Sequence, residues 1–189
     1  MKKISIFASG GGSNAQKIHD YFEGDSEVVI DSVVCNNPNA KILKRADSWG
    51  CEKYVVDKDE FKNSDELSEL LLRRGTDLIV LAGFLWLVPA SLLKAFPDKI
   101  VNIHPALLPN YGGKGMHGMN VHKAVQNAAE KESGITIHYI NEEYDKGDVI
   151  FQASCPVEGM EFDEIAAEVL KLEHKYFPEV IEKILKTNG

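Results

Sequence analysis

Residues 77–83, DLIVLAG, set Leu78, Ile79, Val80, Leu81 and Ala82 side by side with no polar residue between them. A strand with one wet face alternates apolar and polar positions. An unbroken apolar run that stops at a glycine instead reads as a strand covered on both faces, the situation found in parallel sheets flanked by helices. The residues before it repeat that logic. ISIFA (4–8) is a strand, followed by a helix with Ala15, Ile18 and Phe22 at helical spacing. EVVIDSVVC (27–35) is the next strand, and AKILKRADSWG (40–50) is a helix ended by Gly50. A short strand over 53–56 leads to a helix across 64–74, where Asn63 and Glu66 make a capping pair. A short helix from Pro89 to Ala95 then precedes the strand KIVNIHP. The β-α-β-α rhythm predicts an α/β chain built on a single-domain, open, mostly parallel sheet with helices on both faces.

The rhythm breaks after residue 104. Residues 105–120 are rich in Gly, Pro and Asn, around YGGKGMHGMN. A long irregular stretch inside a compact domain points to a functional loop. A helix over about 119–130 follows, then two strands, GITIHYI and DVIFQASCPV, as an antiparallel C-terminal hairpin around NEEYDKG. The last helix, 162–186, carries Ile165, Val169, Phe177 and Ile181 on one stripe, with Pro178 expected to kink it or start a fresh turn. With no internal repeat and no linker, one domain over 1–189 is expected.

Charge narrows the partners. The 21 Lys and Arg stand against 29 Asp and Glu, a net of −8, so no nucleic-acid partner is expected. The longest apolar runs are too short and too broken by glycine to cross a bilayer, so no membrane partner is expected either. Three cysteines without a CxxC read as reduced packing residues, which places the chain in the cytoplasm.

Four places carry polar chemistry. ASGGGSN (8–14) follows a strand and opens a helix, so Gly12, Ser13 and Asn14 can present backbone and side-chain donors to an anion. It is not GxGxxG, and no GxxxxGK[ST] occurs, which points to one small phosphate ester rather than a dinucleotide or triphosphate. In VNIHP, Asn102 and His104 are two apart on a strand that Pro105 ends, so both point to one side. Asp145 lies in the last hairpin turn, where an Asp is commonly a turn residue. Glu173 sits on the apolar stripe of the last helix, where a carboxylate needs a partner or a hydroxyl-bearing ligand. His138 faces away from Ile135 and Ile137 on its strand. No HExxH occurs, and no metal is expected.

SGGGSN, LAGFLWLVP, VNIHPALLP, GITIHYI, DKGDVIFQ and LEHKYFPEVI, taken in order, resemble the folate-dependent formyltransferases, specifically those acting on glycinamide ribonucleotide. The resemblance runs from Ile4 to about Ile184. NIHPALLP alone also fits methionyl-tRNA formyltransferase and formyltetrahydrofolate deformylase, whose extra domains a chain of this length is expected to lack. The resemblance implies a Rossmann-like formyltransferase fold with Asn102, His104 and Asp145 as catalytic residues. It puts Gly12, Ser13 and Asn14 on the ribonucleotide phosphate and Glu173 on its ribose. Leu85, Trp86, Leu87 and Val88, with Asn102, would line the folate pocket. Several positions depart from the family: Leu85-Trp86 stands for Met-Arg, Leu170 for a phosphate-binding Gln, and an upstream Arg falls near Lys62 or Ser64. Loop 111–118 is longer than in some members and holds Lys114, a candidate anion contact.

The implied reaction passes the formyl group of 10-formyltetrahydrofolate, a co-substrate, to the amine of glycinamide ribonucleotide in purine biosynthesis, in a monomer or homodimer. Asn102 and a charged His104 would hold the oxyanion, with Asp145 keeping the imidazole protonated. Another 10-formyltetrahydrofolate-dependent formyltransferase or deformylase on the same fold is the near alternative. A non-catalytic phosphate binder and a metal hydrolase using His104, His138 and Asp145 are the distant ones.

Overall fold

The computed structural model describes residues 1–187. Seven strands form one sheet in the order β3-β2-β1-β4-β5-β6-β7. These are β1 (Lys2–Phe7), β2 (Val28–Cys35), β3 (Glu52–Val55), β4 (Leu78–Leu81), β5 (Ile100–His104), β6 (Glu132–Tyr139) and β7 (Val149–Pro156). The first five run parallel, and β6 and β7 are antiparallel to their neighbours, as the sequence predicts. Among the described residues six helices connect them, α1 (Ser13–Phe22), α2 (Lys41–Trp49), α3 (Lys58–Asn63), α4 (Glu66–Arg74), α5 (Ala90–Ala95) and α6 (Met119–Asn127), and α7 (Phe162–Thr187) follows the last strand.

The two-sided burial of the strands is visible residue by residue. Ile4 and Ile6 of β1, Leu78 and Val80 of β4, and Val101 and Ile103 of β5 enter one core, shared with Ile18 of α1 and Val169, Phe177 and Ile181 of α7. Phe7, Ile79, Leu81 and Ile100 point the other way, into a second core with Phe61 of α3, Leu71 of α4 and Leu92 of α5. The period-2 alternation of strand side chains divides each apolar run between two helical layers. The buried hydroxyls of β1 and β2 pair with one another, Ser5 lying 2.9 Å from both Ser32 and Thr76, whereas the buried Ser133 Oγ of β6 has no partner among the described residues.

Two local expectations change. The segment before α4 is a helix of its own, α3, capped by Asp57, whose Oδ1 accepts from the N–H groups of Asp59 (2.7 Å) and Glu60 (3.2 Å). Asn63 therefore ends α3 and does not cap α4, and the Glu66 N–H is taken by Ser64 Oγ at 3.1 Å. α7 continues through Pro178 as one element of 26 residues. Pro178 is buried within it and has no N–H to give to the His174 carbonyl four residues back.

The topology decides where a ligand can sit. β1 has β2 on one side and β4 on the other, so the strand order reverses at β1. In open sheets a crevice forms at the carboxyl ends of the strands at such a point. The glycine loop after β1, the 83–88 segment after β4 and the end of β5 all emerge on this edge.

Candidate active site

A cavity of about 610 Å³ opens along that edge, lined by Asn14, Glu173, the 84–88 segment, Asn102, His104 and Asp145. Each side chain arrives by a local rule. Asn102 and His104 share a face of β5, the face of Ile100, but lie beyond the point where the second core needs apolar filling. The antiparallel register puts His138 of β6 directly opposite Asn102. Asp145 sits in the β6–β7 turn with φ 54, a left-handed conformation that Asp tolerates better than most residues. Gly147 lets this turn close: a Cβ there would lie 1.8 Å from the Tyr139 carbonyl oxygen.

Backbone groups fix the imidazoles. His138 Nδ1 lies 2.7 Å from the Tyr139 carbonyl, which can only accept, so Nδ1 donates. In the neutral ring Nε2 is then an acceptor, and Asn102 Nδ2 donates to it at 3.1 Å. That bond orients the Asn102 amide and leaves its second Nδ2–H for the cavity. His104 Nε2 donates to the Tyr111 carbonyl at 2.8 Å, which leaves Nδ1 facing Asp145 Oδ1 at 3.6 Å. The same Oδ1 is 3.7 Å from His138 Nε2, while Asp145 Oδ2 accepts from the Gly113 N–H at 2.9 Å.

Burial sets the charges. His104 is 3% exposed, and that desolvation pushes its pKa below the ordinary imidazole value, against the upward pull of Asp145 and of the Tyr111 bond. The resting ring is thus held towards neutrality, not towards the charge expected from sequence. Burial lifts the Asp145 carboxyl, but the His138 and His104 rings, where charged, and the Gly113 N–H outweigh that and hold it below the usual carboxylate value. Glu173, 8% exposed, is raised by burial, opposed by the Asn14 Nδ2–H that it accepts at 2.6 Å. Both nitrogens of His138 are committed, so His104, His138 and Asp145 do not present a free ligand set, and no metal-holding cluster occurs among the described residues.

The other sequence-selected residues divide. Gly12 is the left-handed N-cap of α1 (φ 70), and a Cβ on it would meet Ile42 Cδ1 at 2.5 Å. Glycine is required there by the backbone and by Ile42, whereas a Cβ on Gly10 or Gly11 meets nothing within 4 Å. Ser13 is exposed beside it, and Asn14 joins α1 to α7 through Glu173. Leu85 and Leu87 are exposed on the cavity wall and Val88 is buried beneath them. Trp86 turns into an aromatic group with Phe61 and Phe84, at centroid distances of 5.6 and 6.1 Å, and the Leu85 N–H is held by Ser9 Oγ at 3.0 Å. Lys62 is exposed and off the cavity, and Lys114 is the one Lys or Arg on the cavity wall among the described residues. The sequence carries no sign of the Tyr111 carbonyl as a partner, and for His138 only that it faces away from Ile135 and Ile137. Neither the β5–β6 register nor a backbone acceptor leaves a mark in residue types.

Comparison with known proteins places this geometry. A family model described as formyl transferase matches residues 2–181. The chain is 42% identical to the chloroplastic phosphoribosylglycinamide formyltransferase of Arabidopsis thaliana over 97% of its own length, but it spans 65% of that protein, and 61% of a second plant relative from Vigna unguiculata. It is 32% identical to the phosphoribosylglycinamide formyltransferase of Bacillus subtilis over 100% of this chain and 97% of that one. The crystal structure of glycinamide ribonucleotide transformylase 1 from Geobacillus kaustophilus superposes with a TM-score of 0.88 at 34% identity, covering 98% of this chain and 99% of that one. With its open seven-stranded sheet, its carboxyl-edge cavity and a family match across nearly all of its residues, the chain belongs to the formyl transferase family.

Proposed function

We propose that this chain, as a single domain, transfers the formyl group of 10-formyltetrahydrofolate to the primary amine of glycinamide ribonucleotide, releasing formylglycinamide ribonucleotide and tetrahydrofolate. The observation that carries the proposal is the convergence of an amide (Asn102), an imidazole (His104) and a carboxylate (Asp145) on one cavity that the bonded pair Asn14 and Glu173 also lines. Attack of the amine on the formyl carbon makes an oxyanion and an N⁺–H on the same adduct. The free Nδ2–H of Asn102 is one donor to that oxygen. His104 becomes the second on protonation: Nε2–H is fixed on Tyr111, so the added proton goes to Nδ1, the edge beside Asp145. At rest burial opposes that charge. In the adduct, negative charge on the oxyanion and on Asp145 favours it, so the donor strengthens as the barrier is approached. Asp145 relays the amine proton through a water towards the departing folate nitrogen. The exposed leucines at 85 and 87 give the folate ring an apolar wall, and 10-formyltetrahydrofolate serves as co-substrate.

An assay of purified protein with 10-formyltetrahydrofolate and glycinamide ribonucleotide tests this directly. Water in place of the amine, giving formate, would instead mark a deformylase, and no reaction with either would sink both readings.

Glu173→Gln is expected to raise the ribonucleotide KM by roughly tenfold with kcat nearly unchanged. A carboxylate that accepts from two ribose hydroxyls stabilises bound substrate and transition state alike. A normal KM with a lower melting temperature would reduce Glu173 to a structural partner of Asn14.

Loop 111–118 divides in its restraint. Tyr111 is tied by its hydroxyl to Glu130 at 2.6 Å and Gly113 is tied to Asp145, whereas Lys114, Gly115, His117 and Gly118 are exposed. Amide exchange is expected to be fast at 114–118 in the free protein and slowed when both substrates bind. Slow exchange in the free protein would contradict a closing role.

A further inference from the structure

The glycine loop at residues 10–13 is gripped by the neighbouring helix. The Ile42 N–H donates to the Gly10 carbonyl at 3.1 Å, and Arg45 Nε donates to the Gly11 carbonyl at 3.0 Å. In a trans peptide the C=O and the following N–H point in opposite directions. Pinning these two carbonyls to α2 therefore turns the N–H groups of Gly11 and Gly12 away from α2. Neither N–H donates to a protein backbone acceptor among the described residues, and Gly10 and Gly11 have open space where a side chain would be.

Arg45 is also an unneutralised cation. Its second bond, Nη1 to Gln16 Oε1 at 2.7 Å, again goes to a neutral acceptor. The nearby carboxylates Asp20 and Asp47 pair with Lys17 and Lys53 instead. In a chain of net charge −8, a guanidinium fixed at both ends and paired with no carboxylate leaves a local positive potential. It adds to the N-terminal end of α1, which opens at Ser13. The cavity adjoins this loop through Asn14, whose Oδ1, an acceptor buried without a partner, calls for a donor such as a sugar hydroxyl next to the anion.

We propose that Arg45 is a positioning residue for a phosphate monoester on the 10–13 loop. It holds the Gly11 peptide so that its neighbours' N–H groups face the anion, and it supplies charge without touching the reacting atoms. Leu170, on the cavity wall, offers no donor that duplicates this. The inference rests on the proposed reaction for the identity of the nucleotide and not for the anion site itself.

The test compares wild type, Arg45→Gln and Arg45→Lys on glycinamide ribonucleotide and on its dephosphorylated nucleoside. Arg45→Gln is expected to raise the ribonucleotide KM by about tenfold or more, the scale of one charge-assisted contact, with kcat and the folate KM nearly unchanged. Its kcat/KM on the nucleoside should match wild type. Equal losses on both substrates, or no loss on either, would overturn the proposal. Arg45→Lys should recover only part of the loss, because a lysine cannot make both bonds; full recovery would show that charge alone acts and would overturn the positioning role. A parallel NMR titration with inorganic phosphate should move the Gly11, Gly12 and Ser13 amides in wild type at lower concentration than in Arg45→Gln. Equal titrations would also overturn it. If wild type does not turn over the ribonucleotide, the proposed reaction fails, and the phosphate titration still decides Arg45.

Discussion

Asp145→Asn is expected to lower kcat by on the order of 10²-fold or more, the usual weight of one acid–base group, with both KM values little changed. The substitution suits the question because it keeps the scaffold. An Asn side-chain oxygen can still accept from the Gly113 N–H that Asp145 now binds at 2.9 Å. Asn also adopts the left-handed conformation (φ 54) as readily as Asp does. What disappears is the negative charge 3.6 Å from His104 Nδ1. That charge raises the His104 pKa against the dominant lowering by burial. The His104 midpoint in an NMR titration should therefore fall below its wild-type value, and the cationic donor at Nδ1 should be harder to form when the oxyanion develops. Should the midpoint stay put and kcat remain within a few-fold, Asp145 would be a turn residue and the trio would lose its third member.

Much of the fold is legible because strand burial is written in consecutive residues. Leu78 to Leu81 alternate between the two cores, so both faces must be apolar and the run reads as an inner strand. Gly50 and Gly75 mark the ends of α2 and α4 as left-handed caps, as helix-stop logic expects. α3 escapes because six residues with one buried side chain, Phe61, carry no periodicity. Its trace is the N-cap instead, Asp57 followed by Asp59 and Glu60, a signal that the Asn63–Glu66 spacing obscures.

The candidate site is legible where strand geometry governs it and illegible where tertiary contact does. Asn102 and His104 follow from period-2 spacing at the end of β5. Asp145 reads as a turn residue until the hairpin packs its carboxylate beside His104. The protonation state of His104 depends on burial, which no spacing encodes. Gly12 reads in the sequence as room for an anion, yet its glycine is demanded by φ 70 and by Ile42. Arg45 reads only as one position of an amphipathic helix, because its partner is a backbone carbonyl.

The Asn102→Ala variant is expected to cost roughly 10²–10³ in kcat, the weight of one oxyanion donor. His138 orients the Asn102 amide. Because its Nδ1–H is spent on the Tyr139 carbonyl, its Nε2 takes one Asn102 Nδ2–H and holds the amide with the other hydrogen towards the cavity. Alanine deletes that donor and also leaves His138 Nε2 without its partner in a site where that ring is 1% exposed. A loss of stability is therefore expected beside the kinetic loss, on the order of 1–3 kcal/mol for one unpaired buried acceptor. The two effects separate in a second variant. His138→Ala leaves the Asn102 amide intact but unoriented, so it should lower kcat less than Asn102→Ala does. Adding it to Asn102→Ala should then cost almost nothing further in kcat, since nothing is left to orient. Combining Asn102→Ala with Asp145→Asn should be much less than multiplicative for the same reason, because both groups act on one developing charge. Multiplicative losses in either pair would mean that these side chains serve different steps, and a kcat for Asn102→Ala within threefold of wild type would remove the amide from the reaction altogether.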